Sequence, residues 1–233
     1  MRASIRKLKN ILRRATPGHL TADYRTRLAF NRFVNRVGLV YFGYVNQQDD
    51  EHRLIRGITL SPTHSDNHYC IGTYQGYDVM TALRSDTIHP HGADPKSYDW
   101  VIMTFDFHAQ VDLPRMFIGH HSFNQLFYTH LLSTHPYIQQ LYLRHYTQEH
   151  DLAFTNDFVV YTRSTSLLEA ESILTPEITR GIAAHFKNIM IEVVDHSLYI
   201  YVENQHPTTE LLESMLRSGH WLADALDERM GTK

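Results

Sequence analysis

The most constraining feature of the sequence is an alternation of period two towards its C-terminal end. Ile189, Ile191 and Val193 fall on one side, and Met190, Glu192 and Val194 on the other. Successive side chains of an extended chain point to opposite faces, so this spacing reads as a strand. A second run, Leu198 to Val202, follows after Asp195-His196-Ser197, and the pair reads as a hairpin. One hairpin is marginal in water by itself, so it demands a larger sheet around it.

Other runs supply that sheet. Tyr69 to Thr73 and Tyr77 to Leu83 flank a tight turn at Gln75-Gly76. In Asp99 to His108, Val101, Met103, Phe105 and Phe107 alternate with Ile102, Thr104, Asp106 and His108. Leu39 to Val45, Met116 to Gly119 and Phe158 to Thr162 read as further strands. Residues 46–53 read as a loop, and so does Arg84 to Lys96 with its Pro90, Gly92 and Pro95.

Helical spacing lies between these runs. Thr21 reads as the N-cap of a helix with Phe30, Phe33, Val34 and Val37 on its core stripe and Arg25, Arg32 and Arg36 in water. Gly38 is its natural stop. Phe123, Leu126, Phe127 and Leu131 mark a helix over Ser122 to Ser133. Ser166 and Glu169 spell a capping box. Pro176 opens a helix carrying Ile178, Ile182 and Phe186. A last helix, about Thr209 to Glu228, carries Leu212, Met215, Leu216, Leu222 and Leu226. Hairpins flanked by helices, without regular strand–helix–strand alternation, predict an α+β fold. The expected sheet joins the 69–83 hairpin, the 99–108 strand and the 189–202 hairpin, with the long C-terminal helix packed across it. The expected division is a basic amphipathic segment, 1–20, and one α+β domain, 21–233, with 21–135 and 136–233 as candidate subdomains.

The order of several short motifs resembles an uncharacterised family of bacterial domains of unknown function, frequent in ultrasmall Saccharibacteria-type lineages. The motifs are Phe30-Asn31-Arg32-Phe33, Gly72-Thr73-Tyr74-Gln75-Gly76-Tyr77, and Leu113-Pro114 before Met116-Phe117-Ile118. Leu174-Thr175-Pro176-Glu177, Ile191-Glu192-Val193 and Leu198-Tyr199-Ile200-Tyr201 follow. Together they cover most of residues 22–229. Members often carry an aromatic Asp-Tyr-type strand after the hairpin, where this chain has Met80-Thr81-Ala82-Leu83. The resemblance implies a fold and a bacterial origin, and brings no activity or catalytic residue with it.

Composition narrows the function classes. The chain has 233 residues, enough to bury a core without disulfide or metal staples. Apolar runs such as Ile189 to Val194 are too short to span a bilayer. Arg13 and Arg14 interrupt the apolar stretch at the start, so no secretory signal is expected. Cys70 is the only cysteine, which excludes an internal disulfide and points to a reducing, cytoplasmic setting. A net charge of −3 means that any polyanion binding must be local. The G-x-S-x-G, Walker and dinucleotide glycine patterns do not occur.

The local exception is the N-terminal segment. Arg2, Arg6, Lys7, Lys9, Arg13 and Arg14 sit among Ile5, Leu8, Ile11 and Leu12 at helical spacing, with no acid between them. Such a stripe suits a protein partner or a peripheral contact with an anionic membrane. Histidine clusters form a second candidate. His64, His89, His91 and His120 are the imidazoles from which a metal site would be assembled, though no complete zinc signature is present. Surface-loop histidines are the plainer reading, and no cofactor is expected. Cys70 falls within a strand and reads as a buried thiol. Strand aromatics lack interleaved cations, which argues against nucleic acid. Tyr199 and Tyr201 share the face opposite Leu198 and Ile200 and are a candidate interface. These features point to a non-enzymatic binding or accessory domain, with a metal-dependent enzyme using loop histidines as the alternative.

Overall fold

The computed structural model describes residues 17–45, 55–61, 63–88, 95–108, 113–123, 125–133, 135–143 and 150–231, with side chains from residue 22 onward. Its centre is one antiparallel sheet of nine strands. These are β1 (Val40–Gly43), β2 (Ser65–Tyr74), β3 (Tyr77–Ile88), β4 (Lys96–Asp106), β5 (Leu113–His120), β6 (Ile138–Leu141), β7 (Phe158–Arg163), β8 (Met190–Asp195) and β9 (Ser197–Glu203). They lie in the order β1-β2-β3-β4-β9-β8-β5-β7-β6. Among the described residues six helices flank it: α1 (Pro17–Val37), α2 (Gln125–Leu131), α3 (Leu152–Asp157), α4 (Leu167–Ile173), α5 (Pro176–His185) and α6 (Thr209–Arg229). The fold is therefore α+β, with both expected hairpins in the sheet and the long C-terminal helix packed on it.

The register explains which side chains meet. Tyr41, Cys70, Thr81, Met103, Ile200, Ile191, Ile118, Val160 and Leu141 are successive partners, one from each strand. This row faces the helices and is almost wholly apolar. Leu212, Met215, Leu222 and Leu226 of α6 are buried against this side, with Phe30 and Phe33 of α1 in the same core. Asp227 of α6 is also buried, where it accepts from the Tyr77 hydroxyl at 2.8 Å and stands 3.2 Å from Nδ1 of His108. That contact ties the end of α6 to the start of β3. Cys70 is fully buried beneath α1, and burial pushes its thiol up to about 12.

The neighbouring row faces away from those helices. It runs Val40, Ile71, Met80, Thr104, Tyr199, Glu192, Phe117, Tyr161, Gln140. Ile55 and Ile58 cover its middle, and α2, through Phe127, Tyr128 and Leu131, packs into the same second core.

Several local expectations are corrected. The helix expected to follow a Thr21 cap runs from Pro17 to Val37. Proline and its neighbours are tolerated in a first turn, where the N–H has no intrahelical acceptor. Ser166 makes no capping hydrogen bond. It closes a 3-10 turn, Ser164–Ser166, at φ −116 and ψ 14, whereas an N-cap needs extended backbone. By contrast, Thr175 accepts from the Ile178 N–H as the cap of α5. Strand β3 extends to Ile88, into the expected loop, because Arg84 and Asp86 are polar residues with seats in the interior. Strand β2 starts at Ser65, earlier than its apolar run, through an irregularity at which His68 adopts φ +57. β6 and α3 were not expected, since each is too short to show a period.

Candidate functional site

Charged groups are buried on the second face, and buried ionisable residues are frequent functional groups. Arg84 is fully buried, and its Nε and Nη2 each donate to Asp66 at 2.7 Å. The same guanidinium donates to the carbonyls of Ile55 at 2.6 Å and Arg56 at 3.0 Å, and to Thr59 Oγ1 at 3.1 Å. Glu192 is likewise fully buried. It accepts from the Ile58 N–H at 2.6 Å, the Tyr201 hydroxyl at 2.7 Å and Arg115 Nη2 at 2.7 Å. Gly57 passes directly over the Tyr201 hydroxyl, at φ +80. One cation and one anion thus clamp the backbone of residues 55–59 to the sheet. Their hydrogen-bonding capacity goes to the chain's own side chains and peptide groups, so the arrangement acts as an internal clasp.

The clasp decides the position of Tyr199 and Tyr201. Both are buried, at 8% and 0% exposure, so the expected tyrosine interface is overturned. The alternation placed them correctly opposite Leu198 and Ile200, but the 55–59 segment closes that face. Burial, then the Glu192 carboxylate, pushes the Tyr201 phenol well above its ordinary range.

The histidines do not converge. The His64 ring nitrogen Nδ1 meets the Ser61 carbonyl, and His120 Nδ1 lies 2.8 Å from Ser122 Oγ. His64 precedes β2 and His120 ends β5, five strand spacings apart, or about 24 Å along the sheet. They cannot share one ion. His89 and His91 lie outside the described residues, as do Arg2, Arg6, Lys7, Lys9, Arg13 and Arg14. Among the described residues, no three His, Cys, Asp or Glu side chains are grouped to hold a metal.

The open feature is β1. Among the described residues it is an edge strand with β2 as its sheet neighbour, so half of its backbone donors and acceptors point away from that sheet. Val40 and Phe42 project on the second face beyond the reach of the clasp and are 55% and 56% exposed, and Tyr44 just after the strand is 66% exposed. From Leu39 to Val45 the chain carries no charge. Natural edges are commonly blunted by charge, by shortness or by a bulge. β1 has two of these devices, being four residues long with a register shift at Gly43, where φ is +69, but it lacks the first.

On its other face β1 is anchored. The Tyr41 hydroxyl lies 2.8 Å from Nδ1 of His68, whose Nε2 is 3.3 Å from Asp23 of α1. The His68 ring stacks on Phe30 at 5.4 Å. Burial lowers the His68 pKa, against the pull of Asp23. A neutral ring then accepts from Tyr41 and donates to Asp23, so one imidazole joins helix and edge strand. The contact also sets the N-terminal part of α1 beside β1. Arg25, Arg27, Arg32 and Arg36 on that helix are exposed, and the charge of Arg27 is felt at both Tyr41 and His68. The uncharged run 39–45 was legible as a strand; that it forms an edge beside arginines was not.

No protein-family model and no curated protein matches the chain. Among the described residues, no helix is long and apolar enough to cross a membrane.

Proposed function

We propose that the protein is a non-enzymatic docking module that holds an acidic protein partner. The observation that carries this reading is the uncharged edge strand β1 beside α1, whose exposed Arg27 acts on Tyr41. The six cations of residues 2–14 precede that helix in the sequence, so basic residues are concentrated at one end of a mildly acidic chain. An edge strand offers a row of backbone donors and acceptors, which another polypeptide matches and a lipid surface does not. This favours a protein over an anionic membrane. The internal clasp supports the same reading, since Arg84 and Glu192 serve folding.

The test compares the full chain with one lacking residues 1–16, using poly-L-glutamate and vesicles containing phosphatidylserine. The full chain binds poly-L-glutamate in a salt-sensitive manner, and the truncation weakens binding by roughly tenfold or more while leaving the far-UV spectrum intact. Equal binding by the two chains would sink the proposal, and tighter binding to the vesicles would reassign the partner to a membrane surface. The alternative, a metal-dependent enzyme using His64, His89, His91 or His120, is separated by elemental analysis. Stoichiometric zinc in the purified protein would favour it.

A further inference from the structure

We propose that β1 is a strand-addition site, and that its occupant is an extended segment of the partner in which apolar and acidic residues alternate. This deepens the docking reading and rests on it.

Among the described residues β1 ends the sheet, and its neighbour β2 satisfies one side of it. A tenth strand laid along β1 would satisfy the other side, and its side chains would alternate between the two faces of the sheet. On the second face they would lie beside Val40 and Phe42, which are more than half exposed and uncharged. Apolar residues fit there. On the helical face they would lie beside Tyr41, where the charge of the exposed Arg27 is felt more strongly than that of Asp23. Acidic residues fit there. The alternation expected of the occupant follows from the two different faces of one strand.

The register shift at Gly43 limits the contact to about four residues before the edge twists away. That favours one short segment over open-ended sheet growth. The opposite edge makes a useful contrast. β6 is flanked by exposed Tyr137 and Tyr142, so it too has aromatic surface. It carries Gln139 and Gln140, and Arg163 is the single cation paired with it on β7. Aromatic edges therefore occur at both ends of the sheet, and the basic helix accompanies β1.

The probe is a ten-residue peptide alternating valine and glutamate, offered to the full chain. Two further versions carry N-methyl groups on alternate amides, one along each edge of the extended peptide. The unmodified peptide is expected to bind and to slow amide hydrogen exchange across residues 40–44. Strand addition uses one edge of the peptide, so one methylated version should lose about tenfold or more in affinity and the other should not. Phe42→Ala should weaken binding by roughly tenfold, as loss of an aromatic contact does at a small interface. Phe42 is more than half exposed, so the variant should fold, and its circular dichroism checks that. The inference fails if both methylated peptides bind like the parent, or if Phe42→Ala changes nothing. Concentration-dependent protection of residues 40–44 without peptide would also overturn it, by making a second copy the occupant. Retained binding of poly-L-glutamate alongside such a failure would remove the strand-addition site and leave the docking module standing.

Discussion

Gly57 and His68 are single residues whose backbone the tertiary structure has set. Gly57 is held at φ +80, a region that side chains with a Cβ rarely adopt, and a Cβ there would overlap the Tyr201 hydroxyl and stand 3.0 Å from Glu192 Oε2. Gly57→Ala would therefore strain the backbone and push apart the clasp. Unfolding in urea should show a loss of about 2 to 4 kcal/mol, and an unchanged midpoint would show that the clasp yields freely. His68 makes a different prediction, about pH. Its folded pKa lies below that of an unfolded histidine, about 6.5. The unfolded chain then binds the proton more readily, so the stability it contributes is present above about pH 6.5 and declines as pH falls towards the folded value. His135 is lowered by burial and then by Arg115, and acts in the same direction. His68→Asn, which suits the positive φ, should make the fall in stability between about pH 6.5 and 5 shallower without removing it. Identical slopes for the two proteins would show that His68 is not part of the response.

Among the elements, α6 shows how packing reverses a propensity. Gly219 lies inside this helix, where alanine normally stabilises by about 1 kcal/mol. Here an added Cβ would overlap the Phe105 ring of β4 and come within 3.1 Å of Ile200 of β9. The helix lies this close to the sheet because residue 219 has no side chain. Gly219→Ala is therefore expected to destabilise by about 1 to 3 kcal/mol, read as a lower thermal midpoint. A higher midpoint would mean that α6 can lift from the sheet without loss. The same closeness could not be inferred from the sequence, in which Gly219 reads only as a weak spot in a helix. The caps show the reverse case. Thr208 accepts from the Leu211 N–H and Thr175 from the Ile178 N–H, both local contacts set by neighbouring residues.

At the scale of the molecule, the sheet stitches together the candidate subdomains 21–135 and 136–233. β4 from the first pairs with β9 from the second, while β5 from the first lies between β8 and β7 of the second. The piece 21–135 would expose one side of β4 and both sides of β5. Expressed alone, neither piece should give a dispersed NMR spectrum, and mixing the two should restore it. A dispersed spectrum from either piece alone would establish an independent folding unit. What the sequence determined by itself was local: the two-residue alternation, the turn residues at Gln75-Gly76 and Asp195-His196, and the apolar stripes of α1 and α6. These are read over a few neighbours, and side-chain direction along a strand or helix follows from backbone geometry alone. Only the tertiary structure decided which strand became an edge, which face the 55–59 segment closed, and where Arg84 and Glu192 found their partners. Each of those depends on residues far apart in the chain, Glu192 with Ile58 and Arg84 with Ile55, and on burial, which no local pattern records. Tyr199 and Phe42 carry similar aromatic signals in similar strands. One is covered and the other exposed because the clasp crosses the middle of the sheet and leaves its first edge open.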